Sequence, residues 1–190
     1  MSPAATIPAA EAETRALEAA DDLFYARGIG SVTMGEIRDR SGLSLRRLYA
    51  THPSKADLVA AWLRHRHETW MAGFRADLRV ALDAGAAPVD AVFDALASWM
   101  EATGWRGCGF INTHALGHDL TDEHRRIIRD HKAALADELD ALTPKGRALA
   151  VVVDGAIVQA SIFGNRHPID LARTAGHALV TSAGNEEAEQ

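Results

Sequence analysis

Two short helices are predicted close together within residues 31–58, SVTMGEIRDRSGLSLRRLYATHPSKADL. Thr33 stands three residues before Glu36, the spacing of a capping box, which predicts that a helix begins here. Gly42 can take the left-handed conformation that ends a helix, and Ser44 can cap the next one. Two short helices joined by a tight turn and followed by a longer helix are the pattern of a DNA-binding helix-turn-helix.

The second of these helices carries two adjacent arginines. Leu45 or Leu48 would face inward, which leaves Arg46 and Arg47 on the exposed face. A guanidinium group can bind guanine O6 and N7 together, or it can hold a phosphate. Lys55 lies in the first turn of the following helix, where a cation opposes the helix dipole, so we expect an external anion such as phosphate beside it.

Charge is unevenly distributed along the chain. The formal net charge of the 190 residues is −6, which by itself argues against nucleic acid. Residues 27–66, however, contain eight Lys and Arg against three Asp and Glu, an excess of five positive charges, and the remainder must then carry −11. The positive charge is therefore gathered in one part of the chain, which would orient that part toward DNA.

These segments resemble the tetracycline-repressor (TetR) family of bacterial transcription regulators. The resemblance covers residues 11–66, through ALEAADDLFYARGIGSVTM, EIRDRSGLS, LY and PSKADL in that order. It implies phosphate contacts at Thr33, Tyr49 and Lys55, and base-edge readers on the helix that holds Ser44, Leu45, Arg46 and Arg47. The sequence departs from the family pattern at Thr51 and His52, where the family usually has an aromatic residue or histidine and then phenylalanine.

The whole chain is predicted to be all-α, and the resemblance implies a nine-helix TetR-like architecture. We place helices at about residues 11–27, 33–40, 44–50, 54–83, 88–103, 109–117, 121–141, 144–164 and 168–183. Residues 11–55 would form the helix-turn-helix domain and residues 56–184 a helical ligand-binding and dimerisation domain. The Ala/Pro-rich residues 1–10 and the Glu-rich residues 185–190 are expected to be disordered tails.

Composition indicates a soluble cytoplasmic protein. A single cysteine excludes a disulfide scaffold and suits a reducing compartment. No apolar run approaches the roughly 20 residues that a membrane helix requires, and the start of the chain lacks the basic and apolar regions of a signal peptide.

Residues 146–165, GRALAVVVDGAIVQASIFGN, are apolar on nearly all sides of a predicted helix. Such a helix must be buried all round, and in a small domain this usually means contact with a partner. The resemblance implies that this helix and the last one form a four-helix bundle with their copies in a homodimer, which predicts a near-palindromic operator. A central core helix is the alternative. The residues expected at the dimer interface are Val152, Ala156, Gln159, Ala160, Phe163, Ala175 and Leu179.

Large aromatic side chains concentrate in the middle of the chain and could line an apolar pocket for a small apolar effector. The ordinary alternative is that they are core residues, and the pocket is favoured because the resemblance implies one. Asp154, in an otherwise apolar helix, would need a partner if it were buried. The residues expected to bind the ligand are Trp70, Phe74, Phe93, Trp99, Phe110, His114 and Asp154.

Two sharper hypotheses concern residues 108–124. His114 and His118 stand four residues apart, with Cys108, Asp119 and His124 nearby, and could bind a transition metal. Cys108 could alternatively be a redox switch. No catalytic motif and no cofactor-binding motif is recognisable, so we expect no enzyme. Two classes remain: a ligand-released dimeric repressor, or a small helical metal-binding or enzymatic protein that uses the His114/His118 region.

Overall fold

A computed structural model describes residues 7–188, with residues 118 and 182–188 described by their backbone alone. Throughout that range the secondary structure is helical, without strands, as the sequence predicts. Of the two tails expected to be disordered, residues 1–6 and 189–190 lie outside the described residues. Residues 9 and 10 belong to the first helix, and the last helix continues through residues 185–188, so the inner parts of both tails are helical.

Residues 7–188 contain nine α-helices, the number that the resemblance implies. Two short 3-10 turns lie at Ile29–Ser31 and Gly117–Asp119. The helices are α1 (Ala9–Arg27), α2 (Met34–Ser41), α3 (Leu45–Thr51), α4 (Lys55–Asp83), α5 (Pro88–Met100), α6 (Gly109–His114), α7 (Asp122–Asp140), α8 (Gly146–Phe163) and α9 (His167–Ala188).

Two helices end earlier than predicted. Helix α5 stops at Met100 rather than at residue 103, and α6 stops at His114 rather than at residue 117. Gly104 and Gly117 follow these helices with φ of 77° and 60°. This left-handed conformation suits glycine and does not continue a right-handed helix.

The chain forms two compact units. The first consists of the described residues up to His67 together with Asn112–Ile127, and the second of Glu68–Ile111 together with the described residues from Ile128 onward. The domain boundary expected between residues 55 and 56 stays a prediction. Within the first unit, Nε2 of His124 lies 2.9 Å from the backbone oxygen of Ala56, so the start of α7 contacts the start of α4.

In the first unit, α1 presents a face of small side chains to α2 and α3. Ala12, Ala16 and Ala20 are fully buried, which lets the helix backbones approach closely. Farther along α1, the rings of Phe24 and Trp62 meet edge to face with centroids 5.5 Å apart. The alanine face thus holds α2 and α3 against α1, and the pair of rings holds α4 against it.

In the second unit, α9 packs tightly against α5 and α8. A Cβ atom on Gly176 would lie 2.9 Å from Cδ1 of Leu149 and 3.1 Å from Cε2 of Phe93, so only glycine fits here without a shift. Phe93 and Leu149 are themselves fully buried. Phe93 therefore belongs to the contact between helices.

Helix α8 has the length and apolar composition of a membrane-spanning segment. The expectation that no apolar run approaches the length of a membrane helix was wrong, because the 18 residues of Gly146–Phe163 are long enough, with a mean hydropathy of 1.5. A core helix of a globular protein meets the same criterion, so this is weak evidence for a membrane. Leu149, Val153 and Ile157 of α8 are buried within the chain.

Candidate nucleic-acid interface

A capping box fixes the start of α2, as the sequence predicts. Oγ1 of Thr33 accepts a hydrogen bond from the backbone N–H of Glu36 at 3.3 Å, and Oε2 of Glu36 accepts one from the backbone N–H of Thr33 at 2.8 Å. This backbone hydrogen bond, aided by the guanidinium of Arg27, lowers the pKa of Glu36 to about 2. The entry to α2 is therefore held by a carboxylate that stays ionised.

The turn between α2 and α3 is built by local hydrogen bonds. Gly42 has φ of 69°, and its N–H donates to the backbone oxygen of Arg38 at 3.0 Å. Ser44 then caps α3, its Oγ accepting from the N–H of Arg47 at 3.2 Å. The predicted role of Ser44 as a cap is confirmed, and the hydrogen bonds close the helix-turn-helix.

Helix α3 has one buried side and one exposed side. Leu48 is fully buried, which settles that Leu48, rather than Leu45, faces inward. Leu45, Arg46 and Tyr49 are exposed, Tyr49 by 45% of its surface. Within the described part of the chain Arg46 has no ion-pair or hydrogen-bond partner, so its guanidinium is available to an external ligand.

Arg47 differs from its neighbour, and the expectation that both arginines lie on the exposed face was wrong. Its Nη2 donates to the backbone oxygen of Ile7 at 2.8 Å, and the residue is half-buried. Consecutive helical residues point about 100° apart around the axis, so Arg46 and Arg47 cannot share one direction. The chain before α1 passes on the side where Arg47 lies.

Lys55, at the start of α4, is also engaged with the protein. Its Nζ donates to the backbone oxygen of Ile29 at 2.6 Å. Burial lowers the pKa of Lys55, and the nearby charge of Glu36 opposes that shift. Ser54 caps α4 by accepting from the N–H of Asp57 at 3.1 Å. Lys55 is thus a partly desolvated cation at a rigid helix start.

His52 occupies the position where the family usually has phenylalanine. It ends α3 and is 4% exposed, and its N–H donates to the backbone oxygen of Leu48 at 2.7 Å. Its Nε2 lies 3.3 Å from Oε2 of Glu13, but the pair lacks the geometry of a hydrogen bond. The imidazole ring of His52 therefore fills the core position that phenylalanine usually fills in the family, a role that was not predicted from the sequence.

The second unit brings three of the predicted ligand residues into one aromatic cluster. Trp70 stacks on Phe74 with centroids 5.1 Å apart, and it meets Trp99 edge to face at 5.7 Å. Trp105 extends the cluster through an edge contact with Trp99 at 5.6 Å, and its Nε1 is buried without a hydrogen-bond partner among the described residues. His131 also contacts Trp70 edge to face, at 5.3 Å.

The other predicted ligand residues have different surroundings. Phe110 stacks against His131, which joins it to the aromatic cluster. Asp154 accepts a hydrogen bond from Nζ of Lys132 at 2.6 Å, and this balancing cation on another helix was not predicted from the sequence. His114 is exposed and belongs to the first unit, whereas the other six residues of the predicted set belong to the second.

Helices α8 and α9 share an exposed apolar face. Phe163 is 63% exposed and Leu171 is 58% exposed, and both line a shallow pocket of about 400 Å³ with Gln159. This side of α8 is therefore not covered by the chain itself, and its expected burial against a partner stays a prediction. Of the predicted interface residues, Ala156 and Ala160 are buried, Val152 and Leu179 are half-buried, and Gln159, Phe163 and Ala175 are exposed.

The proposed metal ligands do not form a cluster in the described part of the chain. No group of three His, Cys, Asp or Glu side chains suited to a metal is found there. The side chain of His118 lies outside the described residues. Nε2 of His124 faces the backbone oxygen of Ala56, and its Nδ1 accepts from the N–H of Thr121, which occupies both ring nitrogens.

Comparison with known proteins identifies the same segment. The family described as bacterial regulatory proteins, tetR family, matches residues 16–62. The transcriptional regulator TtgR of Pseudomonas putida is 41% identical over 59 residues, which are 30% of this chain and 28% of TtgR. A probable transcriptional regulator of Pseudomonas putida, ArpR, matches to the same extent. The similarity thus spans less than a third of these curated relatives.

Solved structures are similar over nearly the whole chain. A TetR-family transcriptional regulator from Streptomyces coelicolor superposes with a TM-score of 0.75 at 25% identity, over 91% of this chain and 96% of that one. The reduced form of Escherichia coli NemR gives 0.78 at 15% identity, over 90% and 98%. The multidrug binding protein EbrR, complexed with malachite green, gives 0.70 at 20% identity, over 88% and 97%. The last two similarities concern the fold alone.

Proposed function

We propose that this chain, as a member of the tetR family of bacterial regulatory proteins, is a dimeric, sequence-specific transcription regulator. It would act in the cytoplasm, and a small apolar ligand would release it from its operator. The observation that carries the proposal is the exposed side of α3, where Arg46 has no partner within the described residues. The capping box at Thr33 and the cap at Ser44 hold this side in a fixed orientation.

Each residue of this surface has a distinct proposed role. The guanidinium of Arg46 would reach base edges in the major groove, and Leu45 would pack beside it. Tyr49 and the hydroxyl of Thr33 would hold phosphates. Lys55 would contribute its charge to a phosphate while remaining anchored to the backbone oxygen of Ile29. Ser44 would act as the helix cap.

Dimerisation is supported by the apolar face of α8 and α9. Val151 and Ile162 are 73% and 68% exposed, in addition to Phe163 and Leu171. Side chains of this size on adjoining helices are unusual at the surface of a monomer and mark an interaction site. A second copy related by a two-fold axis would cover the same face on both chains and would present two copies of α3 to two half-sites.

The ligand site is proposed at the aromatic cluster of the second unit. Trp70, Phe74 and Trp99 offer large flat surfaces, and the buried Nε1 of Trp105 is a donor that a ligand could satisfy. EbrR, a structural relative, is described with malachite green bound. To release DNA, the ligand must bind the released conformation more tightly than the DNA-bound one.

The proposal is tested by selecting random DNA duplexes on the purified full chain and sequencing those that are retained. A dimeric reader predicts an enriched near-palindrome whose half-sites are separated by about one helical turn or a multiple of it. An absence of enrichment at moderate salt, in protein shown to be folded and free of ligand, would contradict the proposal. The same selection supplies the duplex for the measurements below.

A further inference from the structure

The first unit contains a cavity of about 360 Å³ that is separate from the aromatic cluster. It lies between the 3-10 turn after α1, the first turns of α4 and the segment that leads into α7. Its apolar lining includes Ile29, Val59, Leu116 and Leu120. We call it the Lys55 cavity. Its volume falls in the range of small-molecule sites, and its apolar walls suit the hydrocarbon part of a ligand.

Lys55 supplies a cation to this cavity. The ammonium group has three donor hydrogens, and its one partner in the described chain is the backbone oxygen of Ile29 at 2.6 Å. Glu36 is near enough to influence the pKa of Lys55, yet among the described residues no ion pair joins the two. A partly desolvated ammonium without a carboxylate partner, beside apolar walls, favours a ligand with a carboxylate at one end.

The remaining polar groups of the lining are already engaged. His124 is 3% exposed, with Nε2 bonded to the backbone oxygen of Ala56 and Nδ1 accepting from Thr121. Because Nδ1 accepts, Nε2 carries the proton and donates it. Asp119 takes part in an interaction of its own. Lys55 is therefore the polar side chain of the lining with donors left for a ligand.

We propose that the Lys55 cavity binds a small amphipathic carboxylic acid, with its carboxylate on Nζ of Lys55 and its hydrocarbon part against Ile29, Val59 and Leu120. The coupling of this site to DNA rests on the proposed function, in which Lys55 also contacts a phosphate. Because one ammonium would serve both anions, bound acid lowers the affinity for DNA. By linkage, bound DNA lowers the affinity for the acid by the same factor.

Calorimetric titration of the full chain with octanoate and with octanamide tests the binding site. The two probes have the same shape and differ in charge. We expect octanoate to bind at least about tenfold more tightly than octanamide, a difference of about 1.4 kcal/mol. In Lys55→Met this preference should disappear. If the wild-type chain binds the two probes equally, or binds neither, the proposal is overturned.

Gly30→Leu tests whether the probes occupy this cavity. Gly30 lines the cavity, and a Cβ atom there would have no neighbour within 4 Å, so a leucine has room to fill the space. We expect Gly30→Leu to weaken the binding of octanoate and of octanamide at least about tenfold. Gly73→Leu is the matched control, because a Cβ atom on Gly73 also has no neighbour within 4 Å and Gly73 lies on α4 outside the cavity. Leu116→Trp replaces Gly30→Leu if the latter does not fold.

If folded Gly30→Leu, or Leu116→Trp in its place, binds octanoate as tightly as the wild type does, the probe lies elsewhere and the proposal is overturned. Competition is read separately, from the fluorescence anisotropy of a labelled selected duplex with and without octanoate. A chain that binds octanoate in the cavity but holds the duplex equally well in both conditions would overturn the coupling. A chain that binds no DNA at all would contradict the proposed function, while the calorimetry would still decide the cavity.

Discussion

The guanidinium group of Arg47 donates a hydrogen bond to the backbone oxygen of Ile7, 2.8 Å away and 40 residues earlier in the chain. This bond ties the segment before α1 to the first turn of α3. Near the other end of α3, His52 lies 3.3 Å from Glu13 of α1. The two contacts place the first turns of α1 alongside α3, so Arg47 orients α3 and leaves Arg46 to face outward.

Replacing each arginine by alanine should therefore have different consequences. Arg46→Ala is expected to relax the preference at one base pair in each half-site, because a bidentate contact to guanine contributes about 1–3 kcal/mol of discrimination. Arg47→Ala is expected to keep the preferred bases and to lower affinity for all duplexes alike. Sequencing of duplexes selected by each variant measures this difference.

Arg47→Lys serves as the conservative control, since a lysine can still donate to the oxygen of Ile7. We expect Arg47→Lys to recover most of the DNA affinity that Arg47→Ala loses. Hydrogen exchange at the backbone amides near the start of α1 should also be slower in Arg47→Lys than in Arg47→Ala. Arg47→Ala could instead lose the base preference at a single position while hydrogen exchange near the start of α1 stays as in the wild type. That result would show that Arg47 reads a base.

Phe163 provides a test of the dimer. Phe163→Glu places a carboxylate in the proposed interface, where burying an unpaired charge costs about 3 kcal/mol or more. The dimer dissociation constant should then rise at least about a hundredfold, as measured by sedimentation equilibrium. Val80→Glu is the control, because Val80 is 71% exposed on α4, outside the face formed by α8 and α9. Dimerisation that is equally strong in both variants would rule out this face as the interface.

The ionisation of Glu36 predicts a dependence of stability on pH. The pKa of Glu36 falls from an ordinary 4.5 to about 2 in the folded chain, chiefly through its backbone hydrogen bond to Thr33. The stabilisation from this charge is therefore complete above about pH 4.5 and is lost as the pH falls toward 2. Glu36→Gln keeps the shape and an acceptor oxygen but lacks the charge.

Thermal unfolding of the wild type and of Glu36→Gln between pH 7 and pH 2 measures the stabilisation by the ionised carboxylate. The wild type should be the more stable protein near pH 7, and the difference in Tm should shrink below about pH 4.5 as the carboxyl groups protonate. A constant difference across the whole range would mean that the ionised carboxylate contributes nothing particular to the start of α2.

His52 offers a test of how the turn after α3 is packed. His52→Phe introduces the usual family residue, removes a buried polar atom without a hydrogen-bond partner in the described chain, and should raise the free energy of unfolding by about 1 kcal/mol. His52→Ala should instead lower it by roughly 2 kcal/mol or more through the cavity that it leaves. Urea unfolding measures both changes, and a destabilised His52→Phe would show that the site cannot hold the larger ring.

Local signals in the sequence were enough to predict the start of both helices of the motif. The capping residues Thr33, Glu36 and Ser44 act on backbone groups within three residues of themselves, so their roles can be deduced from spacing. The all-α fold follows for the same reason, from periodicity and from glycine positions such as Gly42. These features need no knowledge of distant parts of the chain.

The environment of individual site residues could not be predicted in this way. The partner of Arg47 is 40 residues away, and the partner of Asp154 is Lys132, on another helix. His114 belongs to the first unit because the chain returns to that unit at Asn112, within α6, and local patterns do not encode this return. The apolar pattern of α8 likewise does not distinguish a buried face from one left open to a partner.

One comparison decides whether α3 reads DNA: the affinity of the selected duplex for the wild type, Arg46→Ala and Arg38→Ala over a range of salt concentrations. Arg38 is an exposed arginine on α2 that pairs with Asp39, so it controls for the loss of a positive charge near α3. If α3 reads DNA through Arg46, Arg46→Ala should weaken specific binding at least about tenfold per half-site while Arg38→Ala stays within about a factor of three. Equal affinities of the wild type and Arg46→Ala, both folded and dimeric, would contradict the assignment of α3 as the helix that reads the operator.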